Sequence, residues 1–309
     1  MKKILGIMPH SIGGRLTTLS ILDGFRLNNF EVVVFDELKQ NNFNDFLSDD
    51  YDFIVGYDFS PIKLKIDYNL NFPCVAYFSD VIENKTSGVG YVEYNKYLNN
   101  PDIYVFYWDR ELCKNTSFIY QPHFVNIEVY KNYLNPKFDV MFMGRLDTDL
   151  RLNTFIELNK LLPELSFKYY AIEKHYNDAL LRCNCKDKNI LKKTYCGFID
   201  NEKDMARVIN EVKIVYNINA QGISSLNYRT IQVLACERLV ISDKRTELDL
   251  FSNAIPTYDS INDLARKIKY YIDNQDEYFK ITTFARQIIE QKLNSKTCVS
   301  KIIKTLLNK

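Results

Sequence analysis

The feature that most constrains this chain is a strand–helix alternation that runs, breaks and starts again. Lys3 to Met8 reads as a short buried strand, Pro9 to Arg15 as a loop, and Leu16 to Asn28 carries apolar residues at helical spacing (Leu19, Leu22, Phe25). Glu31 to Phe35, Asp52 to Tyr57, Pro73 to Ser79, Ile103 to Phe106 and Ser117 to Tyr120 read as further strands, and Ser60-Pro61 as a helix start. Gln121 to Lys137, with Pro122 and Pro136 and no sustained period, reads as a connection between domains. The alternation resumes with strands at Phe138–Met143, Ser166–Ala171, Lys193–Cys196, Lys213–Asn217, Leu239–Ser242 and Ile255–Tyr258. Helices are expected at Arg151–Leu162, Asn201–Glu211, Tyr228–Cys236 and from Ser260 to about Asn274, with two more to finish. Asn184 to Lys193 reads as a loop or weak helix. Such alternation predicts parallel sheets covered by helices on both faces. The expected division is a first domain over 1–121, a linker over 122–137 and a second domain over 138–309, whose final helix packs back on the first.

Composition removes several classes. At 309 residues the chain can bury two cores. A formal net charge of +1 lacks the basic excess of a phosphate-neutralising nucleic-acid binder, so no nucleic-acid partner is expected. No apolar run approaches the ~18 residues of a membrane span. The apolar stretch after Lys2-Lys3 is too short for a signal peptide. Seven cysteines without a framework pattern suggest reduced thiols in a cytoplasm. Of these, Cys183, Cys185 and Cys196 with His175 match no standard zinc spacing, and no metal is expected.

Ligands of open parallel sheets sit beyond the carboxyl ends of the strands, so the residues just after each strand are the candidates. In the first half these are His10, Gly13, Gly14 and Arg15, where a glycine pair leads into a helix N-terminus that favours an anion. The rival reading there is a plain tight turn. Asp80 ends a strand and could orient a sugar hydroxyl or act as a base; the plain alternative is a cap. In the second half Gly144-Arg145, with Arg151 six residues on, suits a diphosphate. The loop from Gln221 to Asn227 offers small hydroxyl residues and free backbone N–H groups at a helix N-terminus. Arg229, in the first turn of that helix, opposes the helix dipole. His123 at the expected hinge is read as a packing residue.

The stretch Ser225-Leu226-Asn227-Tyr228-Arg229-Thr230-Ile231-Gln232-Val233-Leu234-Ala235-Cys236 resembles S-L-N-x-R-x-x-E-x-x-A-C-G of the CgeB/YkvP-type proteins, which are similar to group 1 glycosyltransferases. Phe138 to Gly144 followed by Arg151, Pro122 to Asn126, Glu247 to Phe251 and Tyr258 to Tyr271 fit the same pattern in the same order. The resemblance covers about residues 117 to 300. It implies a GT-B fold, an α/β architecture of two Rossmann-like domains with parallel sheets facing across a cleft, the second binding a nucleotide-sugar donor and the first an acceptor. It implies no cofactor and no metal, with a UDP-sugar favoured as donor and a glycan, lipid-linked or protein hydroxyl as acceptor. By resemblance, Gly144, Arg145 and Arg151 lie at the diphosphate and Gly197 and Phe198 near the base. Ser224, Ser225, Leu226 and Asn227 hold phosphate or sugar, with Arg229 beside them. Two positions depart from the family: Gln232 replaces the ribose-binding glutamate, and Glu237 replaces the glycine that shapes the turn into the next strand. The expected activity is sugar transfer in surface-glycan biosynthesis. The alternatives are a non-catalytic nucleotide-sugar-binding or assembly protein and a GT-B-fold sugar-nucleotide epimerase. The last helix, apolar at Val299, Ile302, Ile303, Leu306 and Leu307, is expected to pack on the protein itself, the alternative being a weak peripheral membrane contact.

Overall fold

A computed structural model describes residues 2–40, 42–79, 95–114, 116–219 and 224–308, with the backbone alone for Ile12 and Asn95. It divides into two compact units. The first comprises Met1–Ile127, Ala220–Ile231 and Ile289–Lys309; the second comprises Glu128–Asn219 and Gln232–Ile288. Segment 220–231, which the sequence pattern placed with the second half, therefore belongs to the first unit.

The first unit is built on a six-stranded sheet, parallel throughout, in the order β2-β1-β3-β4-β5-β6. These strands are β1 (Lys3–Met8), β2 (Glu31–Asp36), β3 (Phe53–Tyr57), β4 (Cys74–Phe78), β5 (Ile103–Tyr107) and β6 (Ile119–Tyr120). Strands β3 and β4 are buried along their whole length, as continuous apolar runs in a two-sided parallel sheet must be. Helix α1 (Ile12–Leu27) begins four residues earlier than its apolar period suggests, so Gly13 and Gly14 lie in its first turn rather than in a loop. Helix α2 (Ser60–Asp67) carries Pro61 in its first turn, where the missing N–H costs nothing. Helix α3 (Arg110–Cys113) is a single turn.

The second unit holds a four-stranded parallel sheet in the order β10-β9-β7-β8. Its strands are β7 (Phe138–Met143), β8 (Phe167–Tyr170), β9 (Val212–Asn217) and β10 (Leu239–Ser242). Phe142 stacks between Tyr169 and Tyr216, at 6.2 and 5.1 Å, making one aromatic row across three strands. Its helices are α4 (Asp149–Leu161), α5 (Glu173–Arg182), α6 (Cys185–Thr194), α7 (Glu202–Asn210), α8 (Tyr228–Ala235, shared with the first unit) and α9 (Ile261–Asp273). Of the two readings of 184–193, loop or weak helix, the helix holds: Asn184 Oδ1 accepts from Asp187 N and caps α6, whose Leu191 is buried. Two expected strands fail here. Only an isolated bridge, Tyr169 to Tyr195, remains of the strand expected at 193–196, and only Ser242 to Thr257 of the one at 255–258.

Helix α10 (Gln275–Lys292) carries the chain back, and α11 (Ser295–Leu307) belongs to the first unit. Val299, Ile302 and Leu306 are buried, and a Cβ at Gly24 of α1 would sit 2.3 Å from Val299 Cγ2. These three side chains of α11 are thus taken up by packing within the first unit, whereas Ile303 is half-buried and Leu307 is 55% exposed. No described helix is long and apolar enough to cross a membrane.

The substitution at Glu237 does not change the turn that ends α8. Glu237 adopts the left-handed conformation (φ 53°), Glu237 N donates to Leu234 O and Arg238 N to Val233 O. This is the position where glycine carries no Cβ penalty, and a non-glycine residue there costs about 1 kcal/mol. Part of that is offset, because Glu237 Oε2 accepts from Asn132 Nδ2 at 2.9 Å. Glu237→Gly should therefore raise unfolding stability by about 0.5–1 kcal/mol, read from the urea midpoint; a lower midpoint would show that the Asn132 bond outweighs the strain.

Candidate functional site

Strand order places the candidate crevices. In the first unit the order reverses between β1 and β3, and in the second between β7 and β9; ligands of such sheets bind at the carboxyl ends beside these points.

In the second unit the two expected arginines sit at that point and behave differently. Gly144 follows β7 with φ 129°, a backbone that side-chain-bearing residues rarely adopt. Arg145 projects with 48% of its side chain exposed and makes a loose pair with Asp147 at 3.4 Å. Such a pair is worth little in water, so the guanidinium can turn to a stronger anion. Arg151 is only 12% exposed and is occupied by its own protein. Its guanidinium donates to Ile218 O at 2.7 Å, Arg145 O at 3.3 Å and Asp147 at 3.2 Å. It laces the loop after β7 to the loop after β9. Of the two arginines expected at a diphosphate, Arg145 is an exposed cation and Arg151 a brace between loops. His175 lies nearby on α5, and burial and the Arg145 charge lower its pKa.

Gly197 has φ 91° with open space where a Cβ would lie, so glycine is there for its backbone. Phe198 beside it is 44% exposed, and Gly197 O accepts from Ala171 N after β8. After β9 and β10 lies a network that the motif search missed. Asp243 Oδ1 accepts from Asn219 N and Nδ2 at 3.1 and 2.7 Å, Oδ2 takes Arg245 Nε at 3.3 Å, and Arg245 donates to Asn219 O. Gln232 is 2% exposed and gives its Nε2 to Tyr130 Oη at 2.6 Å. Its position faces a buried phenol.

The 224–227 turn differs most from expectation. Ser224, Ser225 and Leu226 are buried, and Asn227, half-buried, spends its Oδ1 on Thr230 N. The N–H groups of Ser224 and Ser225 are not free: both donate to Asp109, at 3.0 and 3.2 Å. Arg229 is half-buried. Tyr228 Oη meets Ser20 Oγ at 2.7 Å and donates to Leu16 O. Its ring lies 5.4 Å from His123, which also packs on Trp108. Burial takes the His123 pKa down to about 3, so it is a neutral packing group, with Nδ1 3.3 Å from Tyr77 Oη. Asp109 stands after β5 and Trp108, at a strand end of the kind that marks a candidate.

At the β1–β3 point, His10 is exposed, with its N–H on Glu37. A Cβ on Gly13 would meet nothing within 4 Å, whereas one on Gly14 would lie 2.6 Å from the Tyr57 ring. Gly14 therefore serves helix packing on β3, while the space at Gly13 is open. Arg15 makes a two-pronged pair with Asp36, at 2.8 and 2.6 Å, and also donates to Pro9 O. Asp80, Gln221, Gly222 and Ile223 lie outside the described residues. Among the described residues no three His, Cys, Asp or Glu side chains gather as a metal site.

Two parallel α/β units, each with its crevice at a point of strand-order reversal, define the class: the fold is α/β of the GT-B type. Residues 153–305 match the model of a family described as glycosyl transferase-like. No curated protein matches in sequence. Among solved structures, an α-glucosyltransferase in complex with UDP and a 13-mer DNA containing a HMU base superposes with a TM-score of 0.74, at 15% identity over 99% of this chain and 100% of that one. A sucrose-phosphate synthase from Thermosynechococcus elongatus gives 0.72, at 12% identity over 100% and 99%. HepE of Anabaena in complex with UDP and glucose gives 0.70, at 16% identity over 99% of both chains.

The Arg15 guanidinium hydrogen-bonded to Asp36 holds that carboxyl down to about 2, helped by the Leu38 N–H and against the effect of burial. The lowered folded value means that the pair stabilises the protein above the unfolded carboxylate range and is lost as pH falls through about 2. Asp36→Asn should cost about 1–2 kcal/mol at pH 7 and much less near pH 2. Urea melts at the two pH values check this, and an equal cost at both would show that the pair is not the cause.

Proposed function

We propose that the protein is a glycosyltransferase that moves a sugar from a nucleoside-diphosphate-sugar to a hydroxyl acceptor, without a bound metal or other cofactor. The observation that carries the reading is an exposed arginine, Arg145, after the positive-φ Gly144 at a strand-order reversal, shortly before residues 153–305, which match a glycosyl transferase-like family. A UDP-sugar is the favoured donor, since UDP is present in two of the superposed structures named above.

The mechanism asks the protein to stabilise the negative charge that grows on the leaving diphosphate. Arg145 supplies a permanent cation with several N–H donors, and does so without proton transfer. Arg151 keeps the two loops of the crevice at a fixed separation by holding Ile218 O and Arg145 O. Phe198 offers an exposed ring edge or face for the base. Asp80 is the proposed base or orienting group for the acceptor hydroxyl. The acceptor is a glycan, lipid-linked or protein hydroxyl in surface-glycan synthesis. The balanced charge of +1 supports that class over a nucleic acid, although one superposed structure contains DNA. A cytoplasmic location is part of the same proposal.

Thermal shift with UDP and UDP-sugars, with and without EDTA, followed by release of UDP from the sugar, tests the reading. UDP should raise the melting temperature by mass action, and EDTA should leave both binding and turnover unchanged. Arg145→Ala should lower kcat/KM for the donor about 10- to 100-fold with little loss of stability. A well-folded protein that responds to no nucleoside diphosphate defeats the donor assignment. Binding without any release favours the non-catalytic reading, and conversion of the sugar nucleotide without release favours the epimerase.

A further inference from the structure

We infer that the outward face of α11 is a docking surface for an anionic lipid bilayer, which the first unit touches without crossing. The argument starts from charge. Residues 291–309 hold five lysines and no acidic side chain, so the rest of a chain with a formal net charge of +1 is acidic. Lys292 at the end of α10, and Lys296, Lys301 and Lys304 of α11, are exposed, and among the described residues none makes an ion pair. Several helix lysines elsewhere are matched at three- or four-residue spacing: Lys114 with Glu111, Lys160 with Glu157, Lys267 with Asp263 and Lys280 with Glu277. The helix packed against α11 does not supply the missing carboxylates. Helix α1 carries one acid, Asp23, whose two oxygens are taken by Arg26 and Asn126, each at 2.8 Å.

Lysines alone would make an ordinary solvated face. Here apolar side chains stand among them. Leu307 is 55% exposed and Ile303 half-buried, although Val299, Ile302 and Leu306 of the same helix are buried. Lys296, Ile303 and Leu307 recur at helical spacing and so share one flank of α11, with Lys304 beside it. The end of α1 adjoins the start of this flank: Asn28 Nδ2 donates to Lys296 O at 2.9 Å, and Leu27 before it is 41% exposed. Two kinds of partner offer dense negative charge, a nucleic-acid backbone and a surface of anionic lipid headgroups. The backbone rewards the lysines and leaves the leucine in water. The bilayer rewards both, with headgroups for the lysines and acyl chains for Leu307 and Ile303. Most of the apolar side of α11 is spent inside the first unit, so the attachment is shallow, reversible and sensitive to salt. A first unit held there comes within reach of a lipid-linked hydroxyl, one of the acceptor classes proposed above.

Flotation of the full chain with lipid vesicles tests this without any donor, so its outcome is separate from that of the donor reading. Vesicles of phosphatidylcholine with about 30% phosphatidylglycerol should carry the protein at low salt, and phosphatidylcholine alone should not. About 0.5 M sodium chloride should release it. Lys296→Gln, Lys301→Gln and Lys304→Gln combined should lower partitioning about 100-fold, at about fivefold for each lysine, with Tm unchanged. Leu307→Gln should lower it about threefold while leaving retention by a DNA duplex as it was. The matching change on α6 of the second unit, Lys186→Gln with Lys192→Gln and Lys193→Gln, removes the same charge from another exposed lysine cluster and should float as wild type. Absence of flotation with the anionic vesicles overturns the inference. So does an equal loss in the α6 variant, which would make the attraction one of overall charge. Tighter retention by the duplex than by vesicles, with Leu307→Gln unchanged on both, overturns it in favour of a nucleic-acid surface.

Discussion

A carboxylate removed from water has to be met on every side by donors, and that requirement at Asp109 shapes the carboxyl edge of the first unit. Leaving such a charge unpaired would cost several kcal/mol. The chain meets it with local and distant groups: two amides of the one-turn helix that follows, and from over a hundred residues away two amides of the 224–225 turn and one serine hydroxyl. Each of those amides is itself an orphan donor of a helix entrance or turn, so both sides of the exchange are satisfied at once. This explains why segment 220–231 clusters with the first unit although its flanking strands, β9 and β10, belong to the second. Tyr228, tied to Leu16 and Ser20 and packed by His123, continues the same attachment along α8.

The second unit solves a different problem with an arginine. A strand-order reversal leaves a gap between the loops after β7 and β9, because the chain leaves those strands in opposite directions. Arg151 spans that gap from the first turns of α4, where its amide is also held by Thr148 Oγ1. Its guanidinium has a rigid fork that suits carbonyl oxygens at fixed spacing. Arg145 has no comparable engagement and keeps half its side chain in solvent. Two arginines six residues apart look interchangeable on paper; burial and carbonyl partners separate a brace from a cation that can answer a ligand.

Much of the fold was legible because buried parallel strands leave a strong signature. Runs such as Phe53–Tyr57 and Phe138–Met143 are apolar without alternation and end at Gly or Asp punctuation. Short or polar elements were harder. Helix α6 is rich in lysine and exposes most of its surface, so its apolar period is carried by few residues such as Leu191; its signal is the Asn184 cap, a local interaction that hydropathy does not register. The start of α1 was misplaced because glycines read as loop, whereas Gly14 is in the helix to let Tyr57 approach. The site was partly legible. The rule of reading residues after strands points to Arg145, which the structure shows exposed at the strand-order reversal. Whether a serine amide is free or already bonded depends on a partner over a hundred residues away, and no local pattern carries that information.

The two departures from the family motif follow from the same physics. A glutamate at position 232, where glutamine is 2% exposed, would be a further buried carboxylate, set beside the Tyr130 phenol. Glutamine is neutral, can donate to the phenol oxygen, and so fits the burial that this chain imposes at that point. Glu237 adopts a left-handed backbone of the kind that favours glycine and sends its carboxylate to Asn132, while Arg238 beside it donates to Leu134 O and Asn210 O. Both substitutions therefore preserve the helix and its exit turn. They act on how segment 128–136 is fastened within the second unit, through Tyr130 and Asn132, and neither alters Arg145 or the switch-point loops. A motif position that has changed its residue while its backbone geometry is kept has changed what it fastens, and that is a weaker sign of lost activity than a change in the groups that face the ligand.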